Sequence, residues 1–180
     1  LVRRLPAAIR LGFDRARARD FQWLFTNRRI APARGEHALE AMMGFATAIG
    51  AGERALRWDI PLPEADRAFA AGFRAGGRPL VVISPCSSHP LRNWQASRYA
   101  EVADYAIEKL GMRVVLTGGP SELEITTGQE IESAMQHKTQ NLIAKDTIRQ
   151  SVALLKQATL VISPDSGPAH LASCVGTPVI

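Results

Sequence analysis

The chain is poor in cysteine, in aromatic side chains and in long apolar runs, and each shortage excludes a class of protein. Two cysteines, Cys86 and Cys174, in 180 residues cannot build a disulfide framework, and neither has the Cys-x-x-Cys or Cys/His spacing of a metal site. A reducing compartment is therefore the default. No apolar run reaches the ~18 residues of a membrane-spanning helix, and no charged-then-apolar leader opens the sequence. The sharper catalytic and nucleotide signatures are missing as well: no GxGxxG behind a strand, no GxxxxGK(S/T), no HExxH and no G-x-S-x-G. Nor does any Asp-x-Asp occur to hold a divalent ion against a diphosphate. No internal repeat or low-complexity tract appears. What is present, 46% hydrophobic and 22% charged residues, suffices for one or two compact cores. The sequence opens on Leu1 and stops at Thr177-Pro178-Val179-Ile180, which reads as a strand just begun, so the expectation is a piece of a longer polypeptide.

Charge is unevenly spread. Residues 1–34 carry nine arginines against Asp14 and Asp20, net +7, whereas the rest of the chain is net −2. Such a segment suits an anionic lipid surface, a phosphorylated acceptor or nucleic acid, or is simply a solvated basic face.

Apolar residues three and four apart from Gly35 to Gly50 predict an amphipathic helix. Pro61 and Pro63 then interrupt regular structure, which predicts a linker over 61–78 between an end-of-domain segment, 1–60, and a second domain, 79–180. Beyond the linker, strand and helix alternate. Leu80-Val81-Val82-Ile83, Val114-Val115-Leu116, Asn141 to Ala144 and Leu160-Val161-Ile162 read as strands, with Val179-Ile180 beginning another. Helices follow from Trp94 to Leu110, from Ser121 and from Thr147, the last two opened by capping boxes, and after Pro168. This pattern predicts a doubly wound α/β domain with a mainly parallel sheet, whose ligands bind at the carboxyl ends of the strands.

Two loops at those ends can carry chemistry. In Ser84-Pro85-Cys86-Ser87-Ser88-His89-Pro90-Leu91-Arg92-Asn93-Trp94, hydroxyls precede a guanidinium that can fork onto phosphate oxygens, although Ser87, Ser88 and Asn93 can equally serve only the turn. In Ser163-Pro164-Asp165-Ser166-Gly167-Pro168-Ala169-His170, Gly167 permits close approach to a helix start, an anion seat suited to a diphosphate. Asp165 can equally be a turn or cap residue, and His170 can pack on its helix.

The second of these loops, continuing into Gly176-Thr177-Pro178-Val179-Ile180, resembles the signature of the glycosyltransferase family that contains the bacterial lipopolysaccharide heptosyltransferases. Ser87-Ser88 with Arg92-Asn93-Trp94 is similar to a second family motif. The stretch Gly12 to Arg19, with Phe25-x-Asn27-Arg28-Arg29 and His37-Ala38, is similar to the acceptor-side half. The resemblance implies a GT-B fold of two Rossmann-like domains facing across a cleft. It implies inverting, metal-independent transfer of heptose from ADP-heptose to the Kdo-lipid A inner core, without a cofactor and at the cytoplasmic face of the inner membrane. Carried over, Ser87, Ser88, Arg92, Ser166 and Gly167 would hold the donor diphosphate and Glu122 the ribose. Asp165 would position the donor, with His170 beside it. Arg15, Arg17 and Arg19 would face the phosphorylated acceptor or the anionic membrane. The family's general base would lie upstream of these residues, leaving the chain alone inactive. The chain has Arg92 where the family usually has Lys, and Gln95 where Pro commonly follows the Trp. A nucleotide-sugar epimerase or hydrolase of the same architecture would share the diphosphate seat. A basic nucleic-acid-binding module is the remoter rival, because the Arg-rich start lacks aromatic interleaving and any recognised motif.

Overall fold

The computed structural model describes residues 4, 6–52, 57–74 and 76–180. Residues 1–3, 5 and 53–56 of the expected first segment, and residue 75 of the expected linker, lie outside the described residues. The chain divides into two units, Leu1–Arg57 and Trp58–Ile180.

In the first unit, β1 (Leu11–Gly12) pairs in parallel with β2 (Arg28–Arg29), and α1 (Ala38–Ala48) follows. The predicted helix is present, and its start is fixed by a reciprocal cap. His37 Nδ1 accepts the Leu39 N–H at 3.2 Å while Glu40 accepts the His37 N–H at 3.1 Å. β1 packs tightly: a Cβ at Gly12 would stand 2.6 Å from Thr26 Cγ2. Phe13 meets Phe45 of α1 edge to face, with ring centroids 4.9 Å apart.

The second unit begins with a correction to the linker. Glu64–Ala71 forms a helix, α2, followed by a 3-10 turn at Gly72–Arg74, and α2 packs on a later helix of the same unit. The prolines precede this helix instead of interrupting it. Pro63 is its N-cap, where a missing N–H is harmless, and Glu64 and Asp66 complement the positive end of its dipole.

Next come β3 (Leu80–Ile83), α3 (Ala96–Glu108), β4 (Arg113–Leu116), α4 (Glu122–Ala134), β5 (Gln140–Asn141), α5 (Ile148–Gln157), β6 (Leu160–Ile162) and α6 (Gly167–Cys174). The sheet order is β5-β4-β3-β6, parallel throughout. The chain end adds a parallel bridge, Val161 to Val179, which is the expected last strand beginning beside β6. All four residues of β3 are buried, as a strand covered on both faces requires. Val81, Ile83, Val114 and Leu116 pack with Tyr99, Ala103 and Ala106 of α3 and Ile131 of α4. Leu80, Val82, Val115 and Val161 pack with Leu154 and Leu155 of α5 and Ala172 of α6. This two-sided core is the doubly wound arrangement. Among the described residues, no helix is long and apolar enough to cross a membrane.

A partly buried polar cluster joins β4 to α5. Thr117, at the end of β4, donates to Asp146 Oδ2 at 3.1 Å and lies 3.3 Å from the Ser151 hydroxyl. Burial pushes the Asp146 carboxyl above its ordinary 3.8, outweighing the Thr117 hydrogen bond and one to its own backbone. A raised carboxyl pKa means that this group's contribution to stability is fully present below pH 3.8, where it is neutral in both states, and is lost as pH rises through the shifted value. Asp146→Asn, which keeps an acceptor for Thr117 without the charge, should raise the melting temperature at pH 7. The difference from wild type should vanish below pH 3.8; an equal increment at both pH values would contradict the assignment.

Candidate functional site

Parallel pairing brings the loops after β3 and β6 side by side. Ile83 is in register with Ile162, and the Ser84 N–H donates to the Ile162 carbonyl at 2.9 Å. With the loop after β4 they enclose a crevice of about 510 Å³ at the carboxyl ends of the strands. Its lining includes Cys86, Ser87 and Ser88 from the first loop, Ser121, Leu123 and Glu124 from the start of α4, and Asp165 to Pro168 from the third.

The start of α6 supplies the anion-seeking part. Ser166 is the N-cap residue, but its side chain makes no capping bond; its hydroxyl lies 2.9 Å from that of Ser163. Pro168 contributes no N–H, so the Gly167 and Ala169 amides are left without a side-chain acceptor at the positive end of the helix dipole. A Cβ at Gly167 would meet nothing within 4 Å, so the approach is open.

Arg92 closes a 3-10 turn, Pro90–Arg92, and its Nη1 lies 3.7 Å from Asp165 Oδ2. Asp165 Oδ1 lies 3.4 Å from His170 Nε2, which places the carboxylate between two cationic or potentially cationic groups. Arg92 and Asp165 are 57% and 74% exposed, and a pair that exposed is worth only about 0–1 kcal/mol. A bidentate phosphate contact, at roughly 1.5–3 kcal/mol per charge-assisted bond, is a better partner for the guanidinium.

The two serines separate. Ser88 is exposed and lines the crevice. Ser87 is buried, and its hydroxyl is engaged inside the loop, donating to the His89 carbonyl at 3.1 Å and accepting the His89 N–H at 3.3 Å. The hydroxyl available to a ligand from this pair is that of Ser88. Glu122 is the first residue of α4 and exposed, while the acidic residue of that turn lining the crevice is Glu124. Glu124 accepts the Gly119 N–H and the Ser121 hydroxyl, both at 2.7 Å, so it organises the loop after β4. The capping pattern Ser121-x-x-Glu124 was the signal for it. Cys86 also lines the crevice; burial pushes its thiol above the ordinary 9.0, with the Glu124 charge adding to the effect and a Thr127 hydrogen bond opposing it. Among the described residues, no group of three or more His, Cys, Asp or Glu side chains is arranged to hold a metal ion.

Arg15, Arg17 and Arg19 of the first unit play different parts. Arg17 is a brace: its guanidinium bonds Asp14, Glu36 Oε2 at 2.6 Å and the Ala31 carbonyl at 2.5 Å. The same guanidinium holds the Asp14 carboxyl below its ordinary 3.8. Arg15 is exposed and lies over the Trp23 ring, 4.7 Å from its centroid. Arg19 is exposed and lines a cavity of about 660 Å³ with Phe13, Arg17, Gln22 and Met42. The expectation that all three present charge outward therefore needs correcting at Arg17, whose charge is neutralised by two carboxylates.

This parallel α/β architecture is that of solved GT-B glycosyltransferases. The glycosyl transferase family 9 structure from Veillonella parvula matches 87% of this chain and 46% of its own, with a TM-score of 0.70 and 27% identity. The E. coli heptosyltransferase WaaC, solved with ADP, shares the fold over 95% of this chain and 53% of its own, with a TM-score of 0.67 and 21% identity. The chain belongs to glycosyltransferase family 9 (heptosyltransferase), whose pattern matches residues 1–180. It is 36% identical to the lipopolysaccharide core heptosyltransferase OpsX of Haemophilus influenzae over 98% of this chain and 50% of that protein. The chain spans about half the length of the curated relatives it matches.

The arginine assignment is checked by thermal melts. Arg17→Ala should lower the stability of the first unit, because it strands the buried Asp14 carboxylate. Arg15→Ala with Arg19→Ala should leave the midpoint within about 2 °C; a larger loss there than in Arg17→Ala would reverse the assignment.

Proposed function

We propose that the protein is an inverting, metal-independent heptosyltransferase that moves heptose from ADP-heptose to the Kdo-lipid A inner core of lipopolysaccharide. The observation that carries the reading is the convergence of the open α6 start and Arg92, through Asp165, on one crevice. Both groups favour negative charge, and together they suit the two phosphates of a nucleotide-sugar donor. Support also comes from the E. coli relative, which is solved with ADP and with ADP-2-deoxy-2-fluoro heptose.

The chemistry follows from charge placement. An acceptor hydroxyl loses its proton to a general base and attacks the anomeric carbon from the face opposite the diphosphate. The bond from that carbon to the phosphate oxygen breaks, and the electron pair leaves with ADP. Negative charge therefore grows on the β-phosphate in the transition state, where Arg92, Ser88 and the Gly167 and Ala169 amides would stabilise it. These groups do the work that a divalent cation does elsewhere. Asp165 and His170 would orient the donor once Arg92 has exchanged the carboxylate for phosphate. The general base is supplied from outside these 180 residues, and general-base assistance is worth about 10² to 10⁴ in rate, so this chain alone should bind donor without turnover.

Arg15 and Arg19 would meet the acceptor phosphates or the anionic lipid headgroups at the cytoplasmic face of the inner membrane, as peripheral contacts screened by salt.

Titration of the chain with ADP, UDP and single-stranded DNA tests the reading. ADP should bind in preference to UDP, and Arg92→Ala should weaken ADP binding about 10- to 100-fold. Salt-sensitive DNA binding unaffected by Arg92→Ala would favour a nucleic-acid module instead. Hydrolysis of ADP-heptose by the chain without any acceptor would favour a hydrolase.

A further inference from the structure

The loop after β3 contains a polar conflict that packing alone does not explain. Asn93 accepts the Ser87 N–H on Oδ1 at 2.7 Å, while its Nδ2 is buried without a hydrogen-bond partner. Among the described residues it is the one buried side-chain nitrogen or oxygen found in that condition. Buried donors are paired as a rule, and an orphan that persists marks a position kept for something other than stability.

The Oδ1 bond has a definite geometric effect. It ties together the two ends of the 87–93 loop: Ser87 and Ser88 stand at one end, on the crevice, and Asn93 at the other, directly after Arg92. The Arg92 N–H to the His89 carbonyl, at 2.9 Å, and the Asn93 N–H to the Pro90 carbonyl, at 3.0 Å, shape the turn between them. Without the Asn93 bridge, no side chain spans the full loop. A leucine has nearly the same size but no acceptor, so it would remove the orphan Nδ2 and leave the Ser87 N–H unpaired in its place; the bridge would be lost.

We infer that Asn93 is a positioning residue for the donor diphosphate: its amide oxygen fixes the spacing between the Ser88 hydroxyl and the Arg92 guanidinium, and its buried Nδ2 is left unpaired for the sake of that geometry. The inference rests on the diphosphate reading of the crevice. Asn93 itself touches neither phosphate nor sugar.

Nuclear magnetic resonance on the isotope-labelled chain, with ADP as the probe, tests it. In the wild type, ADP should shift the Ser88 and Gly167 amides saturably. In Asn93→Leu, half-saturation should need about tenfold more ADP and the Ser87 amide should exchange faster. Amides of β3 and β4 should keep their wild-type exchange rates, because the lost bond lies within the loop. Asn93→Asp, which keeps the acceptor, should retain slow Ser87 exchange. Wild-type ADP affinity in Asn93→Leu would overturn the inference, as would faster exchange throughout β3 and β4 alongside the affinity loss, the mark of a merely structural brace. Absence of any saturable shift in the wild type would instead overturn the diphosphate reading. The Ser87 exchange comparison would still decide whether Asn93 braces the loop.

Discussion

The site depends on a helix that starts without a cap. At α6 the residue placed to cap, Ser166, has its hydroxyl drawn to Ser163, the next position but one is a proline, and Gly167 between them has no side chain to block the approach. Each substitution of chemistry leaves the first-turn amides without an internal acceptor, so the positive end of the helix faces the crevice. A helix end left in this state is stabilised by whatever anion reaches it. The sheet makes that arrangement useful. Because β3 and β6 are adjacent and in register, the same helix start faces the loop that carries Ser88 and Arg92.

Arginine serves this chain in two ways, decided by what surrounds it. Arg17 is largely covered and held by two carboxylates and a carbonyl, so its charge is consumed in holding β2's surroundings to Asp14 and α1's approach. Arg92 is exposed, with one carboxylate at 3.7 Å. The first kind of contact resists exchange because breaking it strands a buried charge. The second exchanges readily because water already competes for both partners. Counting arginines along residues 1–34 cannot distinguish these cases, since Arg15, Arg17 and Arg19 are equivalent in the sequence pattern.

Much of the fold is legible in the sequence because its signals are local and mutually consistent. The apolar runs at 80–83 and 160–162 are strands, the first buried on both faces, and Ser121 and Thr147 cap helices as their spacing implies. Prolines misled at 61 and 63, because the same residue that breaks a helix interior is at home at its start, and only the packing of α2 on α5 selects between the two. The loops holding the site are legible by their position at the carboxyl ends of strands. The role of each residue within them is not. Ser87 and Ser88 are identical neighbours whose hydroxyls diverge because the backbone of His89 captures one of them. Glu122 and Glu124 lie two apart on the first turn of a helix, and the rotation between them decides which one lines the crevice. Asn93 gives no sequence signal for its unpaired amide, which exists only once the loop has closed.

The proposed function requires that a guanidinium and main-chain amides suffice to seat a diphosphate. Calorimetric titration of ADP into the protein, once with a chelator and once with magnesium, measures this directly. Binding with the chelator at least as tight as binding with magnesium is the predicted result. Binding that appears only when magnesium is present would contradict it.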